Sequence, residues 1–287
     1  MQFPVLHISF GAGVIDDIDS LNSRFNYFLS RFAEKYKAVK SANTNIKMYQ
    51  NRFYRNLVQK SNLIAFRIAV KETDLMVHTT TNLEKITTEL VLKYRSYIET
   101  YINNYPDFLL SLIPVTINHP APLIIRNMAE ASQNAGVGPM ASVAGAIAES
   151  VGNALLSFTD EVIVENGGDI FIKTKGNVTV GIFAGKSPLS LKIGIRITSS
   201  NKTMSVCTSS GTVGHSVSMG KADAICVLSE SCSLADAAAT SIGNLIKTAN
   251  DIQQGIDFGK KIKGVKGIVI IIGKKIGFWG DIEIVAV

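Results

Sequence analysis

The densest group of chemically useful side chains lies in the ten residues from Cys207 to Ser216. Hydroxyl and backbone N–H donors suit phosphate or carboxylate groups, so Thr208, Ser209 and Gly211 are candidate ligand-binding residues. A nearby imidazolium lowers the pKa of a thiol, so Cys207 and His215 form a candidate catalytic pair if the segment folds back. The alternative is a solvated loop that contains a buried structural cysteine.

A second candidate is the stretch Asn166, Gly167, Gly168 and Asp169, which joins two strongly predicted strands. Two glycines permit positive φ angles and leave backbone N–H groups uncovered, so a polar ligand can approach the turn. Asn-Gly is also the commonest short hairpin signal. Taken alone, the local pattern favours a plain hairpin turn.

A third candidate is the pair Asp236 and Thr240, which are four residues apart and share one face of a predicted helix. A carboxylate and a hydroxyl together suit a hard cation such as Mg²⁺, with water and substrate oxygens completing its shell. However, Ser233 followed three residues later by Asp236 is also a helix-capping pattern. The alternative therefore assigns Asp236 to local capping.

The two other cysteines are predicted to be structural. Three cysteines without a CxxC spacing argue against both a disulfide framework and a structural zinc site. Cys226 lies in an apolar strand and is predicted to be inert. Cys232 is predicted to lie just outside a helix cap.

Alternating strands and a few long helices must position these segments. The helix predicted over residues 139–158 is rich in alanine and glycine, which allows either a ligand or a packed backbone to come close. Together the elements predict an α+β fold. The predicted strands cover residues 64–70, 75–77, 161–164, 170–173, 178–184, 191–198, 204–208, 222–228, 267–272 and 282–287, and further helices cover 82–103, the stretch from Pro122 to about 134, and 234–250.

Composition excludes several classes of protein. Of the 287 residues, 46% are hydrophobic and 18% are charged, which is typical of a compact globular protein. The net charge of +6 is spread without a block of five like charges, so no nucleic-acid groove is predicted, whereas small anionic ligands remain compatible. The apolar runs are far shorter than the roughly 20 residues of a membrane span. With no secretory signature at the N-terminus, a cytoplasmic location is predicted.

Residues 1–50 are predicted to be an N-terminal helical extension, with one amphipathic helix over residues 19–40. Met48 is an alternative start of the chain. Residues 51–287 are predicted to form the main domain.

The three candidate segments, "VENGGDI", "CTSSGTVGHS" and "LADAAAT", occur in an order that resembles the ApbE-like superfamily. The known enzymes of that superfamily are FAD:protein FMN transferases. More narrowly, the chain resembles a family of ApbE-like proteins from archaea and anaerobic bacteria. The narrower resemblance includes "RFYR" at residues 52–55, "ETDL" at 72–75, "AGVGPMASVAGAIAESVG" at 135–152 and "FAGKSPLS" at 183–190.

This resemblance implies a T-fold-related, largely antiparallel sheet packed with several long helices. It also implies roles for individual residues in binding Mg²⁺ and a flavin nucleotide, FAD or FMN. Asp236 and Thr240 match metal-binding side chains, and Ala148 matches the region that supplies a backbone carbonyl. The turn Asn166, Gly167, Gly168 and Asp169 matches a flavin-nucleotide-facing turn, and Thr208, Ser209, Gly211 and His215 match the segment that lines the pyrophosphate side.

Two departures from the superfamily pattern change these expectations. Glu149-Ser150 stands where the transferases have a Lys-Gly pair, and their "DPxTG" run after the histidine is missing. A glutamate in place of a lysine reverses the local charge and should weaken anion binding. We therefore expect a retained metal-binding half and an altered nucleotide-binding half, which argues against transfer of FMN to proteins.

The narrower family has been linked to sulfide assimilation and homocysteine formation in anaerobes. The leading hypothesis is therefore a cytoplasmic ApbE-like protein that assists this process, with Cys207 as a sulfur-handling thiol at the mouth of the site. Its expected partners are a small anionic molecule or sulfur donor and proteins of sulfur assimilation. The alternatives are a Mg²⁺-dependent flavin-nucleotide binder or FMN transferase-like enzyme, and a non-catalytic accessory protein. Because related folds often pair sheets between subunits, a homodimer is also expected.

Overall fold

The structure, a computed structural model, describes residues 63–199, 202–211 and 220–287. The predicted N-terminal extension, including its helix, lies outside these ranges, and so does His215. Within the described ranges no helix is both long enough and apolar enough to cross a membrane.

Strands alternate with helices along the described residues. The strands are β1 Ile64–Val70, β2 Thr73–Thr79, β3 Val162–Asn166, β4 Asp169–Lys173, β5 Val178–Gly181, β6 Ile193–Ile197, β7 Met204–Ser209, β8 Ala224–Ser229, β9 Val265–Ile272, β10 Lys275–Gly280 and β11 Glu283–Ala286. The helices are α1 Glu84–Asn104, α2 Asp107–Leu110, α3 Leu123–Ala135, α4 Val143–Leu155, α5 Cys232–Leu245 and α6 Ile252–Gly259, and 3₁₀ turns cover Pro139–Ser142 and Ala249–Asp251.

Most of the strands belong to one large antiparallel sheet. Among the described residues its order is β1-β2-β3-β4-β7-β8-β9-β10, and all neighbouring strands in it run antiparallel. A smaller antiparallel sheet has the order β11-β6-β5. Helices together with largely antiparallel sheets confirm the predicted α+β class.

The large sheet is covered on both faces. Helices α4 and α5 pack on one face, where Val164, Phe171 and Val227 are buried in a core shared with the helices. The opposite face buries residues such as Val206 together with Ile195 of the small sheet. Because successive strand residues point to opposite faces, each central strand is apolar on both sides.

Several elements of the structure differ from the sequence-based prediction. The helix predicted over 234–250 ends at Leu245, because Thr248 and Asp251 form a capping box that starts a new turn leading into α6. The helix predicted from Pro139 begins as a 3₁₀ turn and becomes α-helical at Val143. Strand β10 was not predicted, because its lysine and two glycines obscure the alternation.

Helix α4 packs closely through its glycines, which confirms the packing interpretation of its small residues. A Cβ atom on Gly152 would lie 2.2 Å from Cδ1 of Phe171 in β4. A Cβ atom on Gly145 would lie 2.4 Å from the carbonyl oxygen of Cys232 and 2.9 Å from Cβ of Asp236. Because these two glycines have no side chain, α4 can pack closely against both the sheet and α5.

Candidate functional site

The neighbouring strands β4 and β7 carry the centre of the candidate site. Their register places Asp169 directly opposite Cys207, and Cys207 belongs to the core beneath the helices. Directly opposed residues project from the same face of a sheet, so the Asp169 side chain also lies beneath the helices. Helix α5 packs above and brings Asp236 close to both side chains, where its charge adds to the rise in pKa that burial causes. The fold therefore brings together one residue from each predicted motif.

The double-glycine segment forms the two-residue hairpin turn that its local pattern favoured. Asn166 pairs with Asp169 across the turn, and Gly167 has a φ of 72°. A Cβ atom on Gly168 would lie 2.6 Å from the carbonyl oxygen of Thr208, so a side chain there would clash with β7. Asn166 Nδ2 donates a hydrogen bond to the Ala144 carbonyl at 3.1 Å. This bond fixes the turn against the start of α4.

Asp236 lies near the start of α5 but caps a different helix. Its Oδ2 accepts a hydrogen bond from the Gly145 amide, in the first turn of α4, at 2.9 Å. The N-cap of α5 is Ser231, whose hydroxyl accepts from the Leu234 amide at 3.2 Å. The alternative of local capping by Ser233 and Asp236 is therefore wrong, because α5 begins earlier than predicted and Asp236 reaches across to α4.

Glu149 makes the converse contact from α4 to α5. Its Oε2 accepts hydrogen bonds from the Ser233 amide at 2.9 Å, the Ser233 hydroxyl at 2.8 Å and the Ser231 hydroxyl at 3.3 Å. Free N–H groups and the helix dipole make a helix N-terminus attractive to anions. In this chain Glu149 supplies that anion. The sequence identified Glu149 only as a charge reversal, since its partner Ser233 is 84 residues away.

Asp169 and Asp236 are neighbouring buried carboxyl groups, and the charge of Asp236 affects the pKa of Asp169. Asp169 is 7% exposed, and its Oδ1 has no hydrogen-bond partner among the described residues. Burial raises the pKa of Asp169 well above its ordinary value, and the proximity of Asp236 adds to the rise. Burial likewise raises the pKa of Asp236 to about 7, although the amides of Gly145 and Ala144 act in the opposite direction. Ionisation of both groups is unfavourable unless a proton or a cation compensates the charge.

Two of the buried cysteines are in contact beneath α5. Cys207 Sγ lies 3.5 Å from Cys232 Sγ and donates to the Cys232 carbonyl at 3.3 Å. Burial raises the pKa of both thiols, most strongly that of Cys207. The Cys207 thiol is therefore enclosed, and it does not lie at the mouth of a cleft as the sequence had suggested. Cys232 is the first residue of α5 and lies inside the cap formed by Ser231.

Thr208 and Ser209 point to opposite faces of the sheet. The Thr208 hydroxyl donates to Cys226 Sγ at 3.3 Å, on the face covered by the small sheet. Burial raises the pKa of Cys226 to about 12, in keeping with the predicted inert thiol. Ser209 pairs with Ile225 on the helix-covered face, is 3% exposed, and has a hydroxyl without a partner in the described part of the chain. Of these two predicted ligand residues, only Ser209 shares the face of Asp169.

The predicted metal ligands lie on the two helices that cap each other. Asp236 and Thr240 are one turn apart on α5, and Ala148 is fully buried on α4. Across residues 63–199, 202–211 and 220–287, no group of three or more His, Cys, Asp or Glu side chains is arranged to hold a metal ion. A cation here would therefore need hydroxyl, carbonyl or ligand oxygens beside the carboxylates. Mg²⁺ accepts such a set of oxygen ligands.

An open depression of about 670 Å³ lies at the opposite end of β3 and β4. Its walls include Thr159, Lys173 and Lys175, and none of the predicted site residues lines it. Asp160 and Lys175 form an exposed ion pair there. The depression has no buried carboxyl group of the kind that marks the Asp169 region, because its one lining carboxylate, Asp160, is exposed, so we do not assign the site to it.

Comparison with known sequences shows the family to which the chain is similar. The family model described as AbpE bacteria matches residues 55–278. The UPF0280 protein of Methanococcus aeolicus is 47% identical over 197 residues, which are 67% of this chain and 79% of that protein. The UPF0280 protein of Methanocaldococcus jannaschii is 41% identical over 222 residues, which are 75% and 90% of the two chains.

Solved structures share the fold at low identity. The apo flavinyl transferase ApbE of Pseudomonas stutzeri matches with a TM-score of 0.52 and 12% identity, over 76% of this chain and 93% of that one. The flavin transferase ApbE of Vibrio cholerae matches with a TM-score of 0.51 and 10% identity, over 78% and 96% of the two chains. These matches confirm the ApbE-like fold that the sequence motifs implied.

Proposed function

The chain belongs to the family described as AbpE bacteria, and from this membership we propose that it binds a flavin nucleotide together with Mg²⁺. The proposed site, called the carboxylate site below, comprises Asp169, Ser209, Asp236 and Thr240. The observation that carries the proposal is the buried Oδ1 of Asp169, which has no partner among the described residues and lies near a second buried carboxyl group. Buried polar atoms are almost always satisfied, so we expect a ligand to supply the missing partner.

The charge balance of the carboxylate site supports a cation. No lysine, arginine or histidine in the described ranges forms an ion pair with Asp169 or Asp236. Two carboxylates in a buried site repel each other, whereas a divalent cation between them favours the ionised form of both. Thr240 adds a hydroxyl oxygen one turn from Asp236. When bound, Mg²⁺ would balance the charge of the two carboxylates and offer its remaining coordination positions to oxygen atoms of the nucleotide.

The position of the carboxylate site supports a ligand that enters from one edge of the large sheet. Asp169 follows the turn after β3, and Ser209 ends β7 at the same edge. Both have a buried oxygen that lacks a partner among the described residues. The flavin assignment itself rests on the solved neighbours, whose names state that they are flavin transferases.

Transfer of FMN to another protein is not part of the proposal. The Glu149 carboxylate occupies the N-terminus of α5, and this negative charge opposes a nucleotide phosphate at the same place. The sequence-based expectation of an altered nucleotide-binding half is therefore retained. We propose binding of the flavin nucleotide, with cleavage of its pyrophosphate as the reaction to test.

A fluorescence titration of FAD with the full chain tests this proposal. We expect Mg²⁺-dependent quenching in the wild type and loss of the Mg²⁺ dependence in Asp236→Asn. Asp160→Asn, which alters only an exposed carboxylate paired with Lys175, should behave as the wild type. Chromatography of the reaction would then show whether FMN and AMP are released. Absence of FAD binding, or unchanged Mg²⁺ dependence in Asp236→Asn, would refute the proposal.

Sulfur handling by Cys207 is a second candidate function. The observation in its favour is the 3.5 Å contact between the Cys207 and Cys232 thiols close to the two aspartates. We propose it as an assisting role in sulfide assimilation or homocysteine formation, with a sulfur donor as ligand. Burial opposes it, because a thiol enclosed in this way forms little thiolate. Cys207→Ala should abolish growth on limiting sulfide and Cys226→Ala should not, and growth of the Cys207 variant would exclude this role.

A further inference from the structure

We propose that Lys186, Lys221 and Lys274 bind the phosphate end of the nucleotide, and we call these three residues the edge lysines. The inference rests on the proposed flavin-nucleotide binding and extends it by naming where the ligand's negative charge is held. The three lysines come from separate segments of the chain. Hydrogen bonds at a single residue, Gly273, bring these segments together.

Gly273 lies in the turn between β9 and β10 and is bonded on both sides of its backbone. Its carbonyl accepts a hydrogen bond from the buried hydroxyl of Ser187 at 2.7 Å. Its amide donates to Oδ2 of Asp223 at 2.7 Å. Lys186 precedes Ser187, Lys274 follows Gly273, and Lys221 is two residues before Asp223. Each of the three lysines is therefore one or two residues away from a residue that forms this junction, and consecutive Cα atoms are only about 3.8 Å apart.

The edge lysines are exposed and carry charge that no described residue neutralises. None of the three forms a hydrogen bond or ion pair through its ammonium group with another residue in the described ranges. Several other lysines do find an acidic partner, for example Lys202 and Lys266 with Glu230. The carboxylate of Asp223 lies at the junction and already accepts the Gly273 amide. The local balance therefore favours an anion.

The edge lysines adjoin the carboxylate site. A Cβ atom on Gly211 would lie 2.2 Å from the Gly220 carbonyl oxygen and 3.1 Å from the Lys221 Cα, so these backbones are in contact. Gly211 is two residues beyond Ser209. Asp169 on β4 is in register, through Cys207 and Val227, with Ile268 on β9, three strand spacings away. Gly273 lies five residues beyond Ile268, so Asp169 and Gly273 are roughly 20 Å apart at about 4.8 Å per spacing and about 3.3 Å per residue. An elongated nucleotide can therefore contact both places.

The occupied N-terminus of α5 makes a separate phosphate site necessary. Helix N-termini are common phosphate sites, but here the Glu149 carboxylate already accepts the Ser233 amide. A phosphate placed there would meet a negative charge. Lysine is a strong phosphate binder as a point charge, and binding through several lysines weakens as salt increases. The edge lysines thus supply the charge that Glu149 removes.

The test compares riboflavin, FMN and FAD in fluorescence titrations at low and high salt. We expect the triple variant K186A/K221A/K274A to bind FMN and FAD about tenfold more weakly than the wild type, with riboflavin unchanged and the salt dependence reduced. Lys263→Ala, an exposed lysine just before β9 at the opposite edge of the sheet, is the matched control and should bind as the wild type. Equal affinity of the triple variant for FMN would overturn the inference.

A calorimetric titration with inorganic pyrophosphate separates this inference from the proposed function. If the wild type binds no flavin but binds pyrophosphate, and the triple variant does not, the edge lysines are an anion site and the flavin proposal fails. If the wild type binds riboflavin and FMN equally well, the flavin proposal survives and the phosphate role of the lysines is refuted. Circular dichroism of the triple variant would show that its exposed substitutions leave the fold intact.

Discussion

Glu149 on α4 and Asp236 on α5 each cap the N-terminus of the helix that carries the other. Asp236 accepts the Gly145 amide at 2.9 Å, and Glu149 accepts the Ser233 amide at 2.9 Å. Each carboxylate thereby satisfies amides that its neighbour's helix cannot bond internally. The contact also orients Asp236 beside Asp169, so the packing of two helices and the electrostatics of the carboxylate site depend on the same bonds.

Without a divalent cation, Asp236 should make the protein less stable as the pH rises from about 4 to about 7. Its pKa is raised from 3.8 to about 7 by burial in the folded protein, so the folded state keeps a proton that the unfolded chain releases. A raised carboxyl pKa contributes stability that is full below the unfolded pKa and lost as the pH rises through the folded pKa. One such group changes the free energy of unfolding by at most about 1.4 kcal/mol per pH unit. Urea denaturation at several pH values measures this slope.

Surface carboxylates with lowered pKa values make the protein more stable as the pH rises, which opposes the effect of Asp236. Comparison of the wild type with Asp236→Asn therefore isolates the contribution of Asp236 to the pH dependence of stability. Asparagine keeps an oxygen for the Gly145 amide but cannot ionise. From pH 4 to 7 the wild type should lose stability relative to this variant, and above pH 7 the difference should level off. Asp257→Asn, at an exposed pair with Lys260, should leave the wild-type slope unchanged between pH 5 and 7. A constant difference between wild type and Asp236→Asn would contradict the burial of an ionisable Asp236.

Gly145→Ala should destabilise the protein by about 1–3 kcal/mol, the usual range for overpacking. Alanine favours a helix over glycine by about 1 kcal/mol, but the new Cβ would lie 2.4 Å from the Cys232 carbonyl oxygen. A backbone atom cannot rotate away, so α4 and α5 must separate and the bond from the Gly145 amide to Asp236 must lengthen. Asn153→Ala, at an exposed position on α4, should be neutral or slightly stabilising. Thermal denaturation of both variants measures the difference, and equal stability would mean that the helices separate without cost.

The three thiols should be unreactive in the folded protein. Cys207, Cys226 and Cys232 are all buried, and burial raises the pKa of each, so little thiolate forms and a reagent cannot reach it. An aromatic disulfide reagent should therefore label none of them in native buffer and all three after denaturation in guanidinium. Rapid labelling of Cys207 in the native protein would contradict the enclosed arrangement and would favour the sulfur-handling role.

The sequence predicted local features well and contacts between distant residues poorly. The Gly167-Gly168 hairpin, with a φ of 72° at Gly167, follows from the conformational freedom of glycine, which a local pattern reveals. Asp236 illustrates the limit, because its partner Gly145 is 91 residues away and the local sequence offered a competing cap. Resemblance between motifs identified the three segments, but it gave no indication that Cys207 would lie beneath α5. Packing of one element on another decides such burial, and no single segment encodes it.

Ser205→Ala and Ser209→Ala should separate a structural role from a ligand-binding role on the same strand. Both hydroxyls are buried on β7 and lack a partner among the described residues, so removing either should leave the stability of the free protein unchanged or raise it by up to about 1 kcal/mol. Ser205 lies opposite Phe171 in the interior of the sheet, whereas Ser209 ends β7 near Gly211. Only Ser209→Ala should therefore weaken FAD binding, by about fivefold to tenfold, as expected for the loss of one hydrogen bond. Parallel urea denaturation and FAD titration of the two variants measure both effects, and equal FAD affinities would remove Ser209 from the carboxylate site.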